Sequence, residues 1–230
     1  MNHKNIEIHQ ATQLIVFDWD GTLMDSEARI VDCMRASIED LSLAPRTRQQ
    51  MTEIIGLGLA EALAILYPEG TAAQHTALTD RYRYHFVEVN QTPSALFPGV
   101  ETMLAELNAQ GHFLAVATGK GRRGLDRVLE ETNTGQYFHT TRCADESFSK
   151  PHPQMLQEIM DSLGVESNDT LMIGDTEYDL QMANNASVQS LAVSYGVHHL
   201  ERLLNCNPLD CVDDISALRH WLQRKYKLAA

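Results

Sequence analysis

Three short, uninterrupted apolar runs in this chain each end abruptly in a cluster of polar residues. Leu14-Ile15-Val16-Phe17 leads into Asp18-Trp19-Asp20-Gly21-Thr22, and Phe113-Leu114-Ala115-Val116-Ala117 into Thr118-Gly119-Lys120. Thr170-Leu171-Met172-Ile173 leads into Gly174-Asp175-Thr176. Residues 189–193 form a fourth such run and residues 137–141 a weaker fifth. Short runs without alternation predict strands buried on both faces, the pattern of a parallel sheet. Residues 99–109, 122–131, 153–163 and 177–186 carry apolar positions at three-to-four spacing and predict the intervening helices. Strand alternating with helix gives the α/β class, with a Rossmann-like parallel-sheet core. Ligands of such sheets bind off the carboxyl ends of the strands, where the three polar clusters fall.

Residues 25–94 break the alternation. They read as helical over 26–41, 48–55, 59–66 and 72–89, punctuated by Pro45, Gly56, Gly58, Pro68, Gly70 and Pro93. This predicts an all-helical cap domain at 25–94, inserted into an α/β core made of 1–24 and 95–230. A chain of 230 residues, 43% hydrophobic and 21% charged, is large enough to bury such a core without covalent staples. Cys33, Cys143, Cys206 and Cys211 show no CxxC pair and read as reduced thiols; a metal shared by Cys206 and Cys211 lacks further ligands nearby.

Charge narrows the partners. A formal net charge of −13 without a basic stripe argues against nucleic acid and anionic membranes as partners. The longest apolar runs fall far short of the ~20 residues of a membrane span, and the N-terminus has no signal-peptide pattern. We expect a soluble, cytoplasmic protein.

Asp18 and Asp20, two apart at a strand end, share a face, and Asp175 ends another strand. Three converging carboxylates repel unless a cation reconciles them. Mg²⁺, which prefers oxygen ligands, is the fitting cation. It also relieves the repulsion between a carboxylate and an approaching phosphate, about 4 kcal/mol per unit-charge pair at ~4 Å and an effective dielectric of about 20.

Four motifs in order, Asp18-Trp19-Asp20-Gly21-Thr22, Thr118, Lys150-Pro151 and Gly174-Asp175-Thr176-Glu177-Tyr178-Asp179, resemble those of the haloacid dehalogenase superfamily, on its phosphatase side. The resemblance spans essentially the whole chain. It implies Asp18 as nucleophile and Asp20 as general acid and then base. It implies a phosphate site at Thr118, Gly119 and Lys150, and Mg²⁺ held by Asp18, Asp175 and Asp20, the last through its backbone carbonyl. Thr22 and Asp179 would act in support. The second acid, Asp20, separates phosphoryl transfer from dehalogenation, because a halide needs no proton on leaving. Residues 117–120 and 54–58 look most like the phosphoglycolate phosphatase group. The implied partner is therefore a small phosphorylated metabolite.

Each residue also has a structural alternative. Thr22, Ser26 and Asp175-Thr176 could cap helices, and Lys150 could be a solvated loop lysine. Those coincidences would have to recur at all four motifs. Arg122 and Arg123, at a helix N-terminus, are candidates for drawing in an anionic substrate, against the ordinary fate of exposed arginines. Gly56 and Gly58 could face the substrate or merely turn the chain between cap helices. Trp19, His152 and the pair His198-His199 read as packing or surface groups. Two other functions remain open: a hexose-phosphate mutase of the same architecture, and a phosphate-sensing or partner-binding module without turnover.

Overall fold

A computed structural model describes residues 14–226. The N-terminal segment examined for a signal peptide lies largely outside the described residues, as do 1–13 and 227–230 of the expected core.

In chain order the strands are β1 (Leu14–Phe17), β2 (Met24–Asp25), β3 (Ala95–Leu96), β4 (Phe113–Thr118), β5 (Thr140–Cys143), β6 (Thr170–Gly174), β7 (Gln189–Val193) and β8 (Cys211–Val212). The α-helices are α1 (Glu27–Asp40), α2 (Arg48–Thr52), α3 (Leu59–Leu66), α4 (Ala72–Tyr84), α5 (Val100–Ala109), α6 (Arg122–Glu131), α7 (Gln154–Leu163), α8 (Glu177–Asn185), α9 (Leu200–Leu204) and α10 (Ile215–Tyr226). Six strands form one parallel sheet in the order β5-β4-β1-β6-β7-β8.

The register sets the site. Phe17 lies opposite Val116 of β4 and Ile173 of β6, so the polar clusters that follow the three strands emerge side by side. The Asp18 N–H continues the ladder by donating to the Ile173 carbonyl at 2.9 Å. Alternate residues of β1 serve opposite faces. Ile15 and Phe17 pack with α5, α6 and α10, while Leu14 and Val16 pack with α7 and α8. All four are fully buried, each contributing about 1.5–3 kcal/mol. Trp19 joins the first layer, fully buried, with its indole N–H directed at Met24 Sδ.

The chain leaves the core at β2 and returns at β3, and these two short strands pair antiparallel. Between them α1–α4 pack around a separate apolar cluster that includes Val31, Met34, Ile38, Met51, Leu63 and Leu78. Tyr178 and Val197 of the core pack against the same cluster.

Three elements differ from the sequence expectation. The helix expected over 48–55 ends at Thr52; Gly56 adopts φ +99, and the Tyr178 hydroxyl donates to the Glu53 carbonyl at 2.9 Å. The helix expected over 72–89 is α-helical to Tyr84 and widens into a π-helix at His85–Val89. There Arg29 donates to the Phe86 carbonyl and Arg127 to the Val87 carbonyl, both at 2.9 Å, engaging two carbonyls of the π segment. The weak fifth strand begins later, at Thr140. Gly135–Tyr137 forms a 3₁₀ turn, and Tyr137 and Phe138 are apolar because they pack on the core. No helix of the described residues is long and apolar enough to cross a membrane.

Candidate active site

Asp18 lies at the carboxyl end of the central strand, almost fully buried. Lys150 Nζ stands 2.7 Å from its Oδ1 and 2.6 Å from Asp179 Oδ1. Lys150 is itself buried, at 1% exposure, which removes the solvated-loop alternative. Burial alone would lower the lysine's pKa, but the charges of Asp179 and Asp18 outweigh it and hold the ammonium above its usual range. Asp18 behaves oppositely. Burial pushes its carboxyl well up, Lys150 opposes this, and the charges of Asp179 and Asp175 add to it.

Asp175 follows β6, fully buried. Its Oδ1 accepts from the Thr22 hydroxyl at 2.8 Å and its Oδ2 from the Val197 N–H at 2.8 Å. Burial and the Asp179 charge nevertheless raise it to about 7. Asp179 is fixed from α8. Thr176 caps that helix through a capping box, with its N–H and hydroxyl both donating to Asp179 Oδ2, at 3.1 and 2.7 Å. The capping alternative thus holds for Thr176 and fails for Thr22, which serves Asp175. It fails for Ser26 as well, whose hydroxyl makes no cap to α1 and instead donates to Asp20 Oδ1 at 2.6 Å.

Asp20 belongs to a different cluster. Its second oxygen meets Lys120 Nζ at 3.0 Å, and Lys120 lies over the Phe86 ring at 4.7 Å. Neither Lys120 nor Ser26 is marked as a partner of Asp20 by the four motifs. The signal for Lys120 was its place directly after Thr118-Gly119 at the end of β4. Thr118 is buried, with its hydroxyl accepting the Lys120 N–H at 3.2 Å.

Oxygens of Asp18, Asp175 and Asp179 lie within 4.8 Å of one another, the one such acidic, Cys or His group among the described residues. Asp18 Oδ2 is buried with no hydrogen-bond partner. Three buried carboxylates facing one lysine leave an excess of negative charge, and hard oxygen donors suit a divalent ion such as Mg²⁺. The donor set fits the metal and adds the Asp179 carboxylate, expected only in support, to those of Asp18 and Asp175. The four cysteines are free thiols and take no part in that group.

Above Asp18 and Asp20 opens a cavity of about 730 Å³ between cap and core. Gly119 closes one wall. A methyl group there would collide with the Leu57 carbonyl oxygen and meet the Gly56 carbonyl oxygen at 2.6 Å. The Gly58 N–H donates to Ser149 Oγ at 2.8 Å. Arg202 joins the layers, reaching Glu53 of the cap at 2.8 Å and Glu177 of the core at 2.6 Å. Gly56, Gly58, Gly119 and Arg123 line the cavity, with Arg123 exposed at its rim. Arg122 does not line it. Its guanidinium is bound by Glu146 at 2.7 and 2.9 Å and by Asp126 at 3.1 Å. His198 is buried and accepts the Glu177 N–H at Nδ1, a structural role at the start of α8.

Residues 15–193 match the model of the haloacid dehalogenase-like hydrolases. A Dickeya dadantii protein named "Probable phosphatase IndB" is 36% identical over 207 residues, spanning 88% of this chain and 90% of its own. A phosphoglycolate phosphatase of Agrobacterium fabrum is 30% identical over 210 residues, spanning 89% and 90%. A crystal structure from Clostridium acetobutylicum, described as a "predicted phosphatase", superposes with a TM-score of 0.83 at 26% identity, covering 93% of this chain and 99% of that one. The chain belongs to the haloacid dehalogenase-like hydrolase family, on its phosphatase side.

Proposed function

We propose that this protein hydrolyses a small phosphate monoester in two steps through a phosphoryl group carried on Asp18. The observation that carries the reading is the unpartnered Oδ2 of Asp18, buried beside Lys150 and lining the cavity. That oxygen attacks phosphorus, and the ester P–O bond breaks with its electron pair passing to the leaving oxygen. Asp20, held by Ser26 and Lys120, gives that oxygen a proton. Its carboxylate then takes a proton from water, the water oxygen attacks phosphorus, and inorganic phosphate leaves as Asp18 is regenerated. Lys150 and Thr118 hold the phosphoryl oxygens.

Asp18, Asp175 and Asp179 are the side chains that would hold Mg²⁺, which when bound supplies charge neutralisation for the phosphoryl group. The names of the relatives make 2-phosphoglycolate the first ester to test. Purified protein with Mg²⁺ should release phosphate from at least one small ester, and folded Asp18→Asn protein from none. Turnover by folded Asp18→Asn protein refutes the reaction scheme. Incubation with glucose 1-phosphate separates hydrolysis, which frees phosphate, from a mutase, which forms glucose 6-phosphate.

A further inference from the structure

The cavity above Asp18 is built for more than a two-carbon acid. Its volume of about 730 Å³ falls in the ~300–1,000 Å³ range that encloses drug-sized ligands. Its wall on the cap side is apolar and well buried, formed by Met34 at 2% exposure, Met51 at 2%, Ile54 at 5%, Ile55 at 5% and Leu57 at 8%. Tyr82 and Phe86 add two rings, 5.7 Å apart and tilted by 31°. The adaptable thioethers and the faces and edges of the rings offer contact surface to a planar apolar group.

Charge is arranged differently. Glu61, Arg83, Glu88, Arg123 and Asp145 line the same cavity but are all exposed, at its rim. The inner cation is Lys120, already held by Asp20 at 3.0 Å. A substrate carboxylate placed against the inner wall would therefore be desolvated opposite methionine and isoleucine, which costs several kcal/mol without a partner. A ring placed there replaces water against apolar surface.

We infer that the preferred substrates are phosphate monoesters of uncharged alcohols bearing a planar, largely apolar ring, the phosphate at Asp18 and the ring against Met34, Met51, Ile55 and Phe86. This rests on the reading of Asp18 as the phosphoryl acceptor, and it makes 2-phosphoglycolate a poor substrate.

The test uses two matched series on the wild-type protein with Mg²⁺. Hydrolysis is measured on 2-phenylethyl phosphate, ethyl phosphate and 2-phosphoglycolate, all alkyl esters, so that an aryl leaving group does not obscure the comparison. Calorimetry measures binding of the non-hydrolysable counterparts 3-phenylpropylphosphonate, propylphosphonate and 3-phosphonopropionate. Burying the ring should tighten binding over propylphosphonate by about ten- to a hundredfold, and kcat/KM should follow the same order. 3-Phosphonopropionate should bind no more tightly than propylphosphonate. Equal binding of all three phosphonates, or tightest binding of 3-phosphonopropionate, overturns the inference. Phosphate release from none of the esters, with the phosphonate order intact, overturns the reaction scheme and leaves the cavity assignment standing. Met34→Gln, near in size but polar, should reduce the preference for the ring at least threefold. An unchanged preference in folded Met34→Gln protein counts against that wall; should the variant not fold, the wild-type phosphonate order decides.

Discussion

Lys120 Nζ lies 3.0 Å from Asp20 Oδ2, while the Ser26 hydroxyl holds the other oxygen of the same carboxylate at 2.6 Å. Asp20 is thus gripped from both sides, by a residue after β4 and by one at the entrance to α1. The acid of the first motif depends for its aim on two residues that belong to none of the four motifs.

Asp20→Asn should lower turnover of alkyl phosphates by about 10²–10⁴-fold. Ser26→Ala and Lys120→Met, which remove only the grip, should each cost about tenfold, equivalent to ~1.4 kcal/mol of barrier. All three losses should shrink on an aryl phosphate, whose leaving group needs little protonation. Losses of equal size on both ester types would assign these residues to something other than proton transfer.

Gly119→Ala should disturb the fit between cap and core. The added methyl group meets the carbonyls of Leu57 and Gly56, so the loop that closes the cavity has to move. We expect kcat/KM to fall at least tenfold and the 56–58 loop to be cut faster in limited proteolysis. Wild-type activity and protease resistance would show that the loop does not seat on Gly119.

His198 should make the stability of the fold depend on pH. Burial, with the Arg202 charge adding, lowers its pKa below the ordinary 6.5. The unfolded chain therefore binds the proton first as pH falls, and stability present above 6.5 is lost below it. Protonation at Nδ1 would also break the bond accepted from the Glu177 N–H. Between about pH 7.5 and about pH 5.5 the wild-type melting temperature should drop more than that of His198→Asn, whose amide oxygen can still accept that bond. Parallel curves for the two proteins would remove His198 from the pH response.

Metal should stabilise as well as activate. Chelation should abolish phosphate release, and Mg²⁺ should restore it. At a metal concentration of about 100 times Kd the folded state should gain ~2.7 kcal/mol, read as a rise in melting temperature. Asp175→Asn should lose most of that rise. A full rise in the variant would place the ion elsewhere.

The apolar run at 14–17 and its two neighbours gave the parallel sheet, since a strand buried on both faces carries apolar residues without alternation. Asp18, Lys150 and Asp175 were legible because motif residues at strand ends converge once the register is set. Asp179 was assigned only a supporting part, because its approach to Asp18 depends on the capping box that starts α8. The pairing of Lys120 and Ser26 with Asp20 was not legible, because Asp20 is reached across chain turns that periodicity does not describe. Arg122 and Arg123 are neighbours in sequence with opposite fates, one bound by Glu146 and Asp126 and one at the cavity rim. The π-helix at His85–Val89 accompanies contacts from Arg29 and Arg127, residues distant in the chain, and so lies beyond any local pattern.

In the proposed reaction the phosphoryl group passes through Asp18. Wild-type protein mixed with Mg²⁺ and an accepted ester, quenched in acid during turnover, should yield one phosphorylated peptide by mass spectrometry, modified at Asp18. Asp18→Asn protein treated identically should yield none. Rapid phosphate release with no phosphoryl group on Asp18 at any quench time, or with the group on another residue, would contradict the account.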